Sequence, residues 1–464
     1  MSVRAAIASR FPITIVGRVF RPAILCAVVL GATLAAQPAP PVDRAAMAER
    51  VKQEFLHAWH GYEQYAWGHD ELLPVSRAPK DWYGQSLLMT PVDALDTMLI
   101  MGLTDEAAKT RAYIADNLSF DKDVSVSVFE ITIRLLGGLL SAHEMTGDAR
   151  LLAKAEDLAK RLLPAFESKT GMPYRFVNLK TGAVRDPVSN PAEIGTLIVE
   201  FGTLSKLTGR RVYFDEAHAA LAEVYRHRSP ATGLVGEAID VNTGEWKNTA
   251  SHVGGAIDSY YEYLLKCQVL FEDDECGRMF RTSVAAVNKY IADETADGLW
   301  YGEVDMTTGK RTATRYGSLQ AFFPAVLAMS GDVSRARRLQ ASAFRMWSLH
   351  HIEPETLDYK TMTVVHPGYQ LRPEIVESSY YLSHYTQDPV YLQMGKSMFE
   401  DLVKYCRTDA GYTVLRSVVT KEKGDLQHSF LLAETFKYFY LLFRPEALDF
   451  DRVVFNTEAH PMRR

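Results

Sequence analysis

The sequence predicts an all-α toroid: seven helical hairpins in two concentric layers, with short β-hairpins at one mouth. Three observations lead there. Helix-length apolar segments recur at 91–101, 128–145, 192–207, 256–271, 318–329, 373–385 and 429–443. Four of them end in related tight turns, Thr146-Gly147-Asp148, Thr208-Gly209-Arg210, Ser330-Gly331-Asp332 and Thr386-Gln387-Asp388. Gly or its substitute stops one helix, and Asp, Ser or Thr starts the next. The helices after these turns, such as 148–167, 211–228 and 389–407, have one apolar stripe and a charged back, the pattern of an outer layer.

The inner segments are apolar nearly all round, as in 131–140 and 429–443, so they require cover on both sides. Their spacing of 56–65 residues after a shorter first interval marks a repeat whose units need neighbours. A closed ring fits better than an open solenoid, because neither end carries a polar capping repeat. The alternative is an irregular array of helices.

In chain order, Arg4, Arg10, Arg18 and Arg21 precede an apolar run at 23–36 and the spacer Gln37-Pro38-Ala39-Pro40-Pro41. This is the layout of a secretory signal peptide over 1–36 with a Pro-rich spacer at 37–42. The apolar run is short for a membrane span, so stable insertion after cleavage is not expected. An uncleaved anchor is the alternative. Cys26 would leave with the leader. Cys267, Cys276 and Cys406 would remain, and a Cys267–Cys276 bridge is conceivable but not fixed by spacing. An amphipathic helix at 43–65 opens a single domain expected to run over 43–464. Between hairpins, 171–191, 229–254, 298–317 and 357–371 are rich in Gly, Thr and aromatics, the places for short strands.

The net charge of -6, with no basic stretch interleaved with aromatics, excludes a nucleic-acid partner. No phosphate loop, dinucleotide fingerprint, zinc motif or nucleophile elbow is present. His252 and His428 read as local hydrogen-bonders, and His350-His351 as a helix end.

What remains is acidic. Glu130 with Arg134, Glu193, Asp258, Glu374 with Glu377, and Glu434 just after Phe430 all fall near the starts of inner segments. Alone, each could be ordinary N-terminal helix charge. In a ring they meet near one axial site, where some must have raised pKa values. Arg134, Arg372 or a hard cation would let them coexist. Two carboxylates across a polar pocket are the equipment of glycoside hydrolysis.

Several runs then point one way. They are Asp93-Ala94-Leu95-Asp96-Thr97-Met98, Val128-Phe129-Glu130 through Gly137-Gly138-Leu139-Leu140, and Asp258-Ser259-Tyr260-Tyr261-Glu262-Tyr263-Leu264-Leu265-Lys266. Leu371-Arg372-Pro373-Glu374 through Glu377-Ser378, Ser429-Phe430 through Tyr438, and Val454-Phe455-Asn456-Thr457-Glu458-Ala459-His460-Pro461 complete them. In this order they resemble glycoside hydrolase family 47, the class I α-1,2-mannosidases. The resemblance implies an (α/α)7 barrel, inverting hydrolysis of terminal α-1,2-linked mannose, and one Ca2+ at the barrel floor.

By that resemblance Glu130 matches the general acid, acting through a water, and Glu374 the general base. Asp258 matches a third carboxylate that is acid or stabiliser. Thr457 matches the calcium ligand. Arg134, Glu193, Arg372, Glu377, Phe430, Glu434 and Glu458 match the sugar subsite or the metal's water shell. Ser318 and Ala321 stand where many eukaryotic relatives have His and Cys, which leaves fine specificity open. The short leader suggests a bacterial exported protein, periplasmic or secreted, acting as a monomer on mannosides. A lectin-like relative without turnover is the rival reading. Sugar epimerisation is a second, and it would want histidines at the inner-helix starts.

Overall fold

The computed structural model describes residues 41–464. The leader at 1–36 and the spacer at 37–42, apart from its last two residues, lie outside the described residues. Helix α1 (Arg44–Tyr65) starts at Asp43, whose carboxylate accepts the Ala46 N–H, and buries Val51, Phe55, Trp59 and Tyr62. Then come α2 (Met89–Ile100), α3 (Thr104–Asn117), α4 (Val128–Ile131), α5 (Gly137–Thr146), α6 (Ala149–Leu162), α7 (Pro191–Gly195), α8 (Ile198–Thr208) and α9 (Arg211–Arg226). The second half holds α10 (Asp258–Phe271), α11 (Asp274–Tyr290), α12 (Phe323–Met329), α13 (Val333–His350), α14 (Glu374–Thr386), α15 (Val390–Cys406) and α16 (Phe436–Phe443).

Among the described residues the inner layer is a closed ring of seven: α2, α4–α5, α7–α8, α10, α12, α14 and α16, each packed on the next and the last returning to α2. The outer partners are α3, α6, α9, α11, α13 and α15, and α1 packs on α16. The amphipathic first helix therefore supplies the outer half of the last hairpin. Gly147 and Gly209 take the left-handed conformation that ends α5 and α8, and Gln387 does the same after α14. Cys267 and Cys276 form a disulfide across the α10–α11 turn, and Cys406 is the free, buried thiol among the described residues. No described helix is long and apolar enough to cross a membrane.

The strands are two to four residues long and stitch neighbouring hairpins at one mouth. A strand just before an inner helix pairs with the hairpin of the following connection. Ser125–Ser127 pairs with Phe176–Asn178, Val188–Ser189 with Ala238–Asp240, Ala250–Ser251 with Glu303–Asp305, and Arg315–Gly317 with Thr356–Asp358. The next two joints shrink to single bridges, Tyr369–Leu415 and Leu72–Gln427. The last of these ties the first connection to the segment just before the last inner helix.

Four inner segments depart from the continuous helices expected. The second contains a π segment (Thr132–Leu136), the seventh opens with another (Leu431–Thr435), and the fifth opens as a 3-10 turn (Ser318–Phe322). The third breaks after Gly195 into α7 and α8.

A C-terminal hairpin, Val453–Phe455 paired with Pro461–Arg463, fills the ring from the opposite mouth. Its Arg463 N–H donates to Glu144 near the end of α5. Gly137 and Gly138 admit it, since a Cβ at either would meet Asn456 or His460 within 2.6–3.1 Å. His460 sits between Asp96 (2.7 Å) and Asp93 (3.3 Å), and Lys437 lies 2.8 Å from Asp96. Burial alone would push the imidazole down, but the two carboxylates outweigh it and raise His460 to about 9. Burial likewise works against the Asp96 charge, and Lys437 and His460 overcome it, holding Asp96 at about 2.

A group raised in this way stabilises fully below its unfolded value of about 6.5 and loses that contribution as pH climbs through about 9. His460→Gln should therefore cost about 3 kcal/mol in urea unfolding near pH 6, with the gap to wild type closing as pH is raised through about 9. A gap independent of pH would contradict a charged imidazole at the plug.

Candidate active site

A cavity of about 380 Å³ lies at the mouth where the inner helices begin. All eleven residues singled out from the sequence line it: Glu130, Arg134, Glu193, Asp258, Arg372, Glu374, Glu377, Phe430, Glu434, Thr457 and Glu458. They come from five inner helices and the plug hairpin, which closes the floor.

Local backbone explains how they converge. Arg134 and Glu434 both lie in the π segments, whose extra residue per turn re-aims side chains towards the axis. Asn456 of the plug donates to the Ile133 carbonyl at 2.8 Å beside the first of them. Ala256 and Leu371 hold left-handed conformations (φ 73° and 65°) just before Asp258 and Arg372-Pro373-Glu374. Both are pinned through their carbonyls, Ala256 by the Ala192 N–H at 3.0 Å and Leu371 by the Thr435 hydroxyl at 2.8 Å. Strain of this kind persists where surroundings over-determine it.

The arginines are spoken for. Arg134 donates to Glu130 at 3.0 Å, pairs with Glu458, and lies 3.8 Å from Asp93. Arg372 was expected to neutralise Glu374 and Glu377. It stands 4.0 Å from Glu374, but its fork is held by Glu355 at 2.8 and 3.2 Å. Glu193 is gripped at 2.6 and 2.8 Å by Arg175. Phe430 stacks on His428 and faces both Arg134 (5.7 Å) and Arg372 (5.9 Å). His428 bonds Glu71 and Gln370, the local role expected of it.

With little free cation nearby, burial dominates the carboxyls. It pushes Glu374 up to about 7, with Arg372 pulling back and Glu355 and Asp258 adding to the rise. Burial lifts Asp258 to about 6, moderated by the Ser259 N–H at 2.8 Å. Glu458 reaches about 8 by burial despite Arg134. Glu377 and Glu434 lie well above the usual carboxylate range, from burial and then from neighbouring glutamates. Glu374 Oε2 and Glu262 Oε2 are buried with no hydrogen-bond partner among the described residues. Thr457 lines the cavity together with Glu262, Glu374, Glu377, Glu434 and Glu458, so the donors there are oxygens. That set suits a hard cation.

Sequence reasoning missed several residues. Glu262 lines the cavity and pairs with Lys266 one turn on. Both lie within the run that begins at Asp258, and their i, i+4 spacing was a usable signal. Glu355, Arg175 and the chain Thr457 N–H to Tyr263 hydroxyl (3.1 Å) to Glu200 (2.6 Å) carried none, since each depends on long-range packing.

The family model described as glycosyl hydrolase family 47 matches residues 54–464. The chain belongs to this family. It is 38% identical to α-mannosidase I MNS5 of Arabidopsis thaliana over 456 residues, covering 91% of this chain and 78% of that protein. It is 36% identical to the human mannosyl-oligosaccharide 1,2-α-mannosidase IB, covering 89% and 69%. Among solved structures, the α-1,2-mannosidase from Trichoderma reesei superposes with a TM-score of 0.83 at 26% identity, covering 90% of this chain and 99% of that one. The fold is thus the (α/α)7 barrel of the family, and the protein is a glycoside hydrolase.

Glu355→Gln, which weakens the hold on Arg372 without changing size, should lower kcat/KM for a mannoside about tenfold while the melting temperature stays within about 3 °C. Unchanged kinetics would show that Arg372 does not need its partner.

Proposed function

We propose that this member of family 47 is a Ca2+-dependent exo-α-1,2-mannosidase that inverts configuration at the anomeric carbon. The observation that carries the reading is the meeting of Glu130, Asp258 and Glu374, from three different inner helices, in one blind-ended cavity with Thr457 at its floor. A floor closed by the plug hairpin suits removal of terminal sugars.

Glu374 is the general base. Its free Oε2 can take a proton from water, and Arg372 at 4.0 Å favours the ionised form that the base needs. Glu130 is the general acid. Its side chain is 30% exposed and bonded to Arg134, a setting that allows proton delivery through a water. Asp258, held at about 6, is the competing acid or an electrostatic stabiliser of the developing positive charge. An inverting pair needs room for water between base and sugar, and carboxylates on separate helices can provide it. Phe430 gives the sugar an apolar face.

Thr457, with the surrounding glutamates, would hold Ca2+, which when bound supplies oxygen coordination that orients sugar hydroxyls and water. The Cys267–Cys276 disulfide supports export to an oxidising compartment, periplasmic or extracellular, as the basic and apolar N-terminus proposes. A monomer suffices, because one chain completes the cavity.

Glu374→Gln should retain calcium binding and remove most turnover of α-1,2-mannobiose; near-wild-type kcat would refute its role. Thr457→Ala should abolish most of the rise in melting temperature that calcium gives to chelated protein. Calcium added to chelated wild type near pH 7 should also release about one proton or more, because Glu374 and Glu458 are held up near or above that pH. Calorimetry in buffers of different ionisation enthalpy reads this directly, and binding without proton release would argue against calcium among these carboxyls.

A further inference from the structure

Beside the sugar pocket lies a second cavity of about 490 Å³ that the proposed reaction does not use. Its walls come from two neighbouring sheets at the mouth, one holding Glu303–Asp305 and the other holding Arg315–Gly317, Thr356–Asp358 and Thr363–His366. His252, Glu303, Arg315, Ser318, Glu355 and His366 supply its chemistry. Gly255 and Leu319 line both cavities, so they meet at one threshold. A Cβ on Gly255 would stand 3.0 Å from Leu319 Cδ1, so a glycine keeps that threshold clear.

Glu355 couples the two spaces. It grips Arg372 in the sugar pocket and accepts the Ser318 hydroxyl at 3.3 Å and the Gln370 N–H at 3.1 Å. His252 accepts the Gly254 N–H on Nδ1 at 3.1 Å, which puts the ring proton on Nε2 as a donor. Arg315 and His366 are exposed and have no ion-pair or side-chain hydrogen-bond partner among the described residues. Leu319 is the sole large apolar side chain of the lining. A peptide groove would need more apolar anchors, and an anion site would not place Glu303 and Glu355 in its walls. Carboxylates, imidazoles, a hydroxyl and a guanidinium interspersed around a polar trough suit a polyhydroxyl ligand.

We infer that this groove binds the glycan beyond the first leaving-side mannose, and that Arg315 and His366 set the preference for long over short mannosides. The inference rests on the mannosidase reading for the orientation of the ligand. It also gives Ser318 a place: a small residue there leaves the threshold wide and hands its hydroxyl to Glu355.

The test is the double variant Arg315→Ala/His366→Ala, whose sites are exposed hairpin positions outside the reacting centre. Hydrolysis and calorimetric binding are measured for α-1,2-mannobiose and for a branched oligomannoside with terminal α-1,2-linked mannose. Mannobiose kcat/KM should stay within about twofold of wild type, and the oligomannoside should lose about tenfold in kcat/KM and in affinity. Equal losses on both substrates, or none on the larger, would overturn the groove. If wild type hydrolyses neither, the mannosidase reading fails while calorimetry still decides the groove. Oligomannoside binding weakened by the variant then supports it, and no binding, or binding indifferent to the variant, overturns it. A loss confined to glycoprotein substrates, with free glycan unaffected, would point to polypeptide and also overturn it.

Discussion

Five of the seven inner helices bring carboxyls to one largely desolvated space, where they cannot all be charged together. Much of the surrounding structure answers that constraint. Arg134 is divided among Glu130, Glu458 and Asp93, Arg372 is shared by Glu355 and Glu374, and Lys266 is committed to Glu262. What these cations leave unbalanced is pushed by burial towards the protonated form. Helix N-termini contribute a favourable dipole, but only within the first turn, which is where Asp258 and Glu374 sit.

The plug hairpin is the second half of this arrangement. A ring of helices alone would be open at both mouths and filled with water, and the carboxyls would then titrate normally. By anchoring His460 between Asp93 and Asp96, the chain's end seals one mouth and carries Thr457 and Glu458 to the floor. At the anchor each buried carboxylate faces a cation, Asp93 and Asp96 with His460 and Lys437, whereas at the floor carboxyls outnumber the cations. One cluster holds the structure together, and the other is poised for ligand. The small sheets do the complementary work at the open mouth, tying each repeat to the next and forming the walls through which substrate arrives.

The hairpin count was legible because helix stops and starts are local: Gly147, Gly209 and Asp148 advertise themselves in a few residues. Much of the site was legible because carboxylates fall near the starts of five of the seven inner segments. The π segments were not, since nothing local in Thr132–Leu136 distinguishes an extra residue per turn from an ordinary helix; the plug's contacts at Asn456 favour it from elsewhere in the chain. Glu355 escaped notice for the same reason. It precedes Arg372 by 17 residues, just before the Thr356–Asp358 strand, and only the folding back of the intervening hairpin, with the Glu355 N–H on the Gly368 carbonyl, brings them together. Left-handed Ala256 and Leu371 were equally silent, because neither residue type prefers that conformation.

The central claim is that these carboxyls and a calcium ion perform an inverting hydrolysis of α-1,2-linked mannose. The most direct measurement is the anomeric proton NMR signal of the mannose released from α-1,2-mannobiose by the purified protein, with calcium and then with chelator. The account predicts β-mannose as the first product, lost on chelation and restored by calcium. First-formed α-mannose, or turnover indifferent to chelation, would contradict it.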